Sequence, residues 1–151
     1  KTLHADGWKI NACPTDGPSL VSKEERVAIT WLTRANSEPK VQLAFSQDEG
    51  RNFSKPVRVD SGTPLGRPAI VPYASDNYLL AWLERRASGQ VGIRLRRASF
   101  AGKLHKTITV ATVPAGRASG FPKLAIHGDQ ILLALRDGKV RAAILTKSQL
   151  K

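Results

Sequence analysis

The sequence predicts an all-β protein built from consecutive four-stranded antiparallel blades of a β-propeller, with about three blades in the chain. Three observations carry this. A pattern of about fifty residues recurs three times. Within each copy, short apolar runs alternate with turn-forming clusters. No stretch keeps a helical period over about twelve residues.

The first copy opens at Gly17-Pro18-Ser19-Leu20-Val21, continues through Val27–Leu32 and then Val41–Phe45. The second runs Arg67-Pro68-Ala69-Ile70-Val71, Leu79–Leu83 and Val91–Leu95. The third runs Phe121-Pro122-Lys123-Leu124-Ala125, Ile131–Leu135 and Val140–Ile144. Pro18, Pro68 and Pro122 mark the starts, where a first strand residue need not donate to a ladder. Trp31, Trp82 and Leu135 hold matching places. Val57–Asp60 and Thr107–Thr112 supply a fourth strand to the first two copies, whereas the third runs out of chain after three. The implied division is 1–16 as an outer strand (Asp6–Ile10) and lead-in, 17–62 as one blade, 63–115 as a second and 116–151 as a third, incomplete one. Three blades are too few for a closed ring, so the expected whole is a ring of roughly six. It would be completed by an N-terminal half or by a second copy in a homodimer, because open terminal blades would expose apolar faces and strand edges.

Composition narrows the function. The 151 residues carry 24 basic and 12 acidic side chains, a formal charge of +12 that favours anionic partners. The basic residues are spread over loops without exposed aromatics for base stacking, which argues against nucleic acid. The longest apolar run, Ile131–Leu135, is far too short to span a membrane. There is no Met and the chain opens at Lys1, as expected of a mature or cleaved product. Cys13 is the single cysteine, either a buried thiol or one whose partner lies elsewhere. His4, His105 and His127 are isolated and lack metal-ligand spacing, and no phosphate loop or nucleophile elbow occurs; no metal or cofactor is expected.

One segment is more specific. Ser46-Gln47-Asp48-Glu49-Gly50-Arg51-Asn52-Phe53 places Ser46, Asp48, Gly50 and Phe53 at the spacing Ser-x-Asp-x-Gly-x-x-aromatic between predicted third and fourth strands. There Asp48 can accept backbone N–H bonds, Gly50 can take positive φ, and Phe53 can tuck beneath the hairpin. An ordinary Asp-Glu-Gly turn is the plainer reading. A worn copy lies at Ala98–Gly102.

With this motif the chain resembles the Asp-box (BNR) repeat, sialidase or neuraminidase-like β-propeller family. Gly7–Ile10, Cys13–Pro18 and Ser119–Pro122 resemble the C-terminal half of bacterial secreted sialidase-like proteins. The resemblance implies a secreted or periplasmic protein, and a Cys13 that faces cysteines of an N-terminal half. It also implies arginines holding a substrate carboxylate on the face opposite the Asp-boxes.

Strand direction assigns the loops to faces. One face holds the Asp48 turn, with Tyr73 and Tyr78 flanking another turn on the same side. The other collects Arg34, Arg67, Arg85, Arg86, Arg117 and Arg136, with Asp16, Glu84 and Asp137 among them. Arg67, Arg85, Arg34, Arg136 and Glu84 are therefore the candidate ligand-binding residues, since guanidinium pairs bidentately with planar anions. Solvated loop-end charge is the plainer alternative. The resemblance would require a Tyr nucleophile paired with Glu and an Asp acid/base, and no tyrosine falls on the arginine face. The expected function is binding of a glycan or other anionic ligand. The alternatives are an exo-α-sialidase with its catalytic Tyr and Asp in a missing half, and a basic protein-interaction or polyanion-binding module.

Overall fold

A computed structural model describes residues 2–10, 16–116 and 119–150. It contains eleven strands: β1 (Ser19–Lys23), β2 (Arg26–Thr33), β3 (Lys40–Ser46), β4 (Val57–Arg58), β5 (Thr63–Pro72), β6 (Asn77–Arg85), β7 (Val91–Ser99), β8 (Leu104–Val113), β9 (Lys123–His127), β10 (Gln130–Arg136) and β11 (Val140–Thr146). They form three antiparallel sheets in simple up-and-down order: β1-β2-β3-β4, β5-β6-β7-β8 and β9-β10-β11. No helix is long and apolar enough to cross a membrane. Cys13 and Arg117 lie outside the described residues.

The sheets pack face against face, and β5 touches β1, β2, β3 and β9. Burial explains the sequence pattern. In β6 the run Tyr78–Glu84 is buried throughout, because both faces of the middle sheet are covered. Tyr78, Leu80 and Trp82 turn toward the first sheet and join Ala28, Leu32, Val41, Leu43, Phe45 and Val59. Leu79 and Ala81 turn the other way onto Ile131, and Leu83 onto Leu133 and Leu135. In β10 the equally apolar run alternates: Ile131, Leu133 and Leu135 are buried, while Leu132 is half-buried and Ala134 exposed. That second face continues on β11 with Val140 at 82% and Ile144 at 63% exposure.

Three expectations change. β4 has only two residues, because the side chain of Asp60 takes over the ladder's work and accepts the Val41 N–H at 2.7 Å. Buried Asp60 is in turn held by Arg58 Nη2 at 2.8 Å. Pro68 does not open its strand. It sits inside β5, where register slips between Gly66 and Ala69 leave it no ladder bond to make. Asp6–Ile10 joins no sheet among the described residues. Gly7 turns at φ 77, and the Asp6 carboxylate accepts the Trp8 N–H at 3.0 Å, a local turn that competes with a strand. The segment lies instead beside Trp31, which His4 approaches at 6.2 Å between ring centroids.

Trp82 is fully buried between the first two sheets, and its indole N–H donates to Glu84 at 2.9 Å. Trp82→Ala is expected to cost about 3–5 kcal/mol in chemical denaturation. Leu20→Ser, at a site 63% exposed, should stay within about 0.5 kcal/mol.

Candidate functional site

Up-and-down connections sort the loops by end. The turns after β1, β3, β5 and β7 gather at one end, where Glu49 N–H donates to the Glu25 carbonyl at 2.8 Å and Phe100 N–H to the Asp76 carbonyl at 2.7 Å. The loops after β2 and β6 and the links between sheets gather at the other. The eight residues of β2 hold the two ends about 26 Å apart.

At the first end the Ser46–Phe53 hairpin is closed by side chains. Ser46 Oγ donates to Asp48 Oδ1 at 2.7 Å and accepts the Gly50 N–H at 2.9 Å. Asp48 accepts the Asn52 N–H at 2.8 Å and the Asn52 side-chain amide at 2.7 Å. These bonds, the Ser46 hydroxyl first, bring the Asp48 pKa from 3.8 down to about 2. Gly50 takes φ 85, and the place of its missing Cβ lies 3.8 Å from the Phe53 ring. Nearby, Phe45, Tyr78 and Phe100 form an aromatic cluster, with Phe45 and Phe100 at 5.0 Å. Burial raises the Tyr78 pKa. Tyr73 is at the same end, with Arg97 and Lys147 each 5.5 Å from its ring.

The other end carries a cleft of about 330 Å³, lined by Asp16, Arg34, Leu65, Arg67, Leu83, Arg85, Gly116 and Ser119. Its shape starts in β5, whose register slips on both sides of Gly66. Gly66 stands at φ 98 and Arg67 at φ 57. A left-handed Arg is strained, and such bulges re-aim side chains. Here the strain is held by the third sheet's lead-in. Arg67 Nη1 donates to the Ser119 carbonyl and, at 3.1 Å, to Ser119 Oγ, while its Cζ lies 5.3 Å from the Phe121 ring centre. Ser119 Oγ donates to the Gly116 carbonyl at 3.0 Å. Arg34, just past β2, reaches the Leu65 carbonyl only at 3.5 Å. Arg85, the last residue of β6, is exposed. Neither forms an ion pair among the described residues.

Three of the five predicted binding residues, Arg34, Arg67 and Arg85, thus share one cleft. The other two do not line it. Glu84 points into the protein, where it accepts the Trp82 indole N–H and pairs with Arg94 Nε at 3.2 Å. Strand alternation explains the difference, since Glu84 and Arg85 must face opposite ways. Arg136 packs its Cβ over Gly120. Asp137 is taken by Arg141 at 3.1 Å. Sequence reasoning overlooked Ser119. The available signal was Ser119-Gly120 before the third repeat, where Gly120 leaves no space for a Cβ against Arg136.

No protein-family model and no curated protein sequence matches the chain. Solved structures do. A xylan β-1,4-xylosidase from Bacillus halodurans C-125 is similar at a TM-score of 0.60 and 15% identity, over 84% of this chain and 27% of that one. A GH43 endo-arabinanase from Bacillus licheniformis is similar at 0.60 and 18%, over 89% of this chain and 52% of that one. A Hadza microbial sialidase, Hz136, is similar at 0.59 and 13%, over 88% and 31%. At these identities the likeness shows the fold alone, that of β-propeller glycosidases. The chain spans between about a quarter and about half of the length of these proteins.

The depressed Asp48 pKa sets an acid limit. Because it is lower in the folded state, the hairpin's contribution is complete above about pH 4 and is lost as pH falls toward 2. Asp48→Ala should lower the melting temperature at pH 6 by a few degrees, and the gap to wild type should close as pH approaches 2. Thermal melts followed by circular dichroism across this range check it. Parallel curves would refute the role given to Asp48.

Proposed function

We propose that the chain is part of a secreted, Asp-box, sialidase-like propeller whose arginine cleft binds an anionic glycan. The observation that carries this reading is the convergence of Arg34, Arg67 and Arg85 on one cleft at the end opposite the Ser46–Phe53 hairpin. Two guanidinium groups without an acidic partner among the described residues are suited to a carboxylate or sulfate, which they hold by charge-assisted, geometrically matched hydrogen bonds. Arg67, already committed to Ser119 and Phe121, supports the wall that the other two flank. The names of the similar structures, all glycosidases, agree with a sugar ligand.

Binding is favoured over hydrolysis by this segment. Tyr73 and Tyr78 are both at the hairpin end, and Glu84 is occupied in the core. The described residues bring no Tyr–Glu pair to the cleft. In this reading the exposed face of β9–β11 receives a further sheet, from an N-terminal half of the protein or from a second copy.

Arg34→Ala and Arg85→Ala should each weaken binding of a sialylated or sulfated oligosaccharide about 10- to 100-fold in isothermal titration. Lys55→Ala, beside the hairpin, should leave it within about twofold once salt is matched. Equal losses from all three would instead mean diffuse electrostatic attraction.

A further inference from the structure

The first sheet carries a second cavity, lined by none of the three cleft arginines, on the face turned away from the core. Its volume of about 320 Å³ falls in the range of roughly 300–1,000 Å³ usual for small-molecule sites. Ile29 and Trp31 point into it from β2, on the side opposite Ala28, which packs in the core. Residues 2–10 cross this face and add His4, Asp6 and Trp8. Trp8 and Trp31 are both half-buried, so part of each ring stays accessible. The charge here is opposite to that of the protein. The chain has 24 basic and 12 acidic residues, yet the described residues lining the cavity include Asp6 and Asp16 and neither lysine nor arginine. Burial raises the Asp6 pKa, but bonds from the Thr33 hydroxyl and the Trp8 N–H lower it further, so the group is ionised at neutral pH. Asp16, on the wall shared with the arginine cleft, leaves Oδ1 buried and without a hydrogen-bond partner.

We propose that this cavity binds a small organic cation of the methylated ammonium class, held against the Trp8 and Trp31 rings and balanced by Asp6 and Asp16. Indole is the aromatic side chain that attracts a cation most strongly. A methylated ammonium spreads its charge over methyl groups and gives up less hydration in an apolar cavity than a compact primary ammonium does. It needs charge from Asp6 more than hydrogen bonds, and the bonds of that carboxylate are already taken by Thr33 and Trp8. An anion meets like charge here, and a neutral molecule of the same shape loses the charge contribution. Leu20, which pairs with Ile29 on the same face, lies outside the cavity and is 63% exposed, so the ligand and a neighbouring sheet take different parts of this face.

The test titrates choline chloride and its uncharged carbon isostere, 3,3-dimethyl-1-butanol, into the full chain at matched ionic strength, followed by tryptophan fluorescence and protein NMR spectra. Trp82 is fully buried between sheets, so a change in emission reports Trp8 and Trp31. Choline should bind about tenfold more tightly than the isostere. Asp6→Asn should weaken choline several-fold and leave the isostere within about twofold. Trp31→Ala should abolish saturable choline binding. Should it fail to fold, Trp31→Phe keeps a ring and should still weaken choline several-fold. Equal affinity for choline and the isostere overturns the proposal, as does wild type that binds neither. A choline affinity unchanged in a folded Trp31 variant also overturns it. So does tighter binding of methyl glucoside than of choline, which would mark a pocket for neutral sugars. None of these measurements involves Arg34 or Arg85, so the outcome is separate from that of the anion-binding reading.

Discussion

The rest of the structure depends on the burial of both faces of the middle sheet. Consecutive residues of β6 point to opposite sides, so Trp82 and Leu80 anchor the first sheet while Leu79, Ala81 and Leu83 anchor the third. A strand buried on one face tolerates a polar partner every second residue. β6 has no such freedom until Glu84, and that carboxylate is bound to Trp82 and Arg94. Pairwise stacking of this kind makes each sheet's neighbours responsible for its stability. The third sheet is covered on one face only, and Val140 and Ile144 are exposed on the other.

Against this regular packing, the irregularity in β5 is the feature that shapes the cleft. A ladder in register through Gly66 and Arg67 would leave the strand straight and the end of the sheet flat. Two slips between Pro64 and Ala69 bend it, place Arg67 toward Ser119, and bring Gly66 close against Asp16. The strain at a left-handed Arg is of order 1–3 kcal/mol, and it persists because the guanidinium is held from two directions. The Arg67–Ser119 contact joins the second sheet to the segment leading into the third. The cleft wall and the packing of sheets are therefore mechanically linked.

Much of the architecture was legible because it is written in local patterns. Alternation, turn clusters and a recurring period place every strand core from Val27 to Ile144. The Ser46–Phe53 turn was legible for the same reason, since all its bonds lie within a few residues. Long-range detail was not. Pro68 inside a bulge and Asp60 substituting for a strand each depend on a neighbour distant in sequence. In the cleft, the end-of-strand rule found Arg34 and Arg85. It also drew in Glu84, because counting loops to a face does not say which way the last strand residue points. Asp16 was placed on this face from the sequence, whereas Ser119 was not, because it comes from a segment that precedes a first strand, where no period constrains a side chain.

The arrangement of charge separates the cleft from the rest of a basic surface. Arg26 pairs with Asp76, Arg51 with Glu49, Arg58 with Asp60 and Glu38, Arg94 with Glu84, and Arg141 with Asp137. Arg96 is held in the second sheet, where it donates to the carbonyls of His105 and Val59. These pairings use half of the twelve acidic residues, all outside the cleft. Here two guanidinium groups, those of Arg34 and Arg85, face one cleft, and the acid beside them is turned against Gly66 without neutralising either. Burying an unpaired carboxylate oxygen among cations that it does not touch is unfavourable for folding alone.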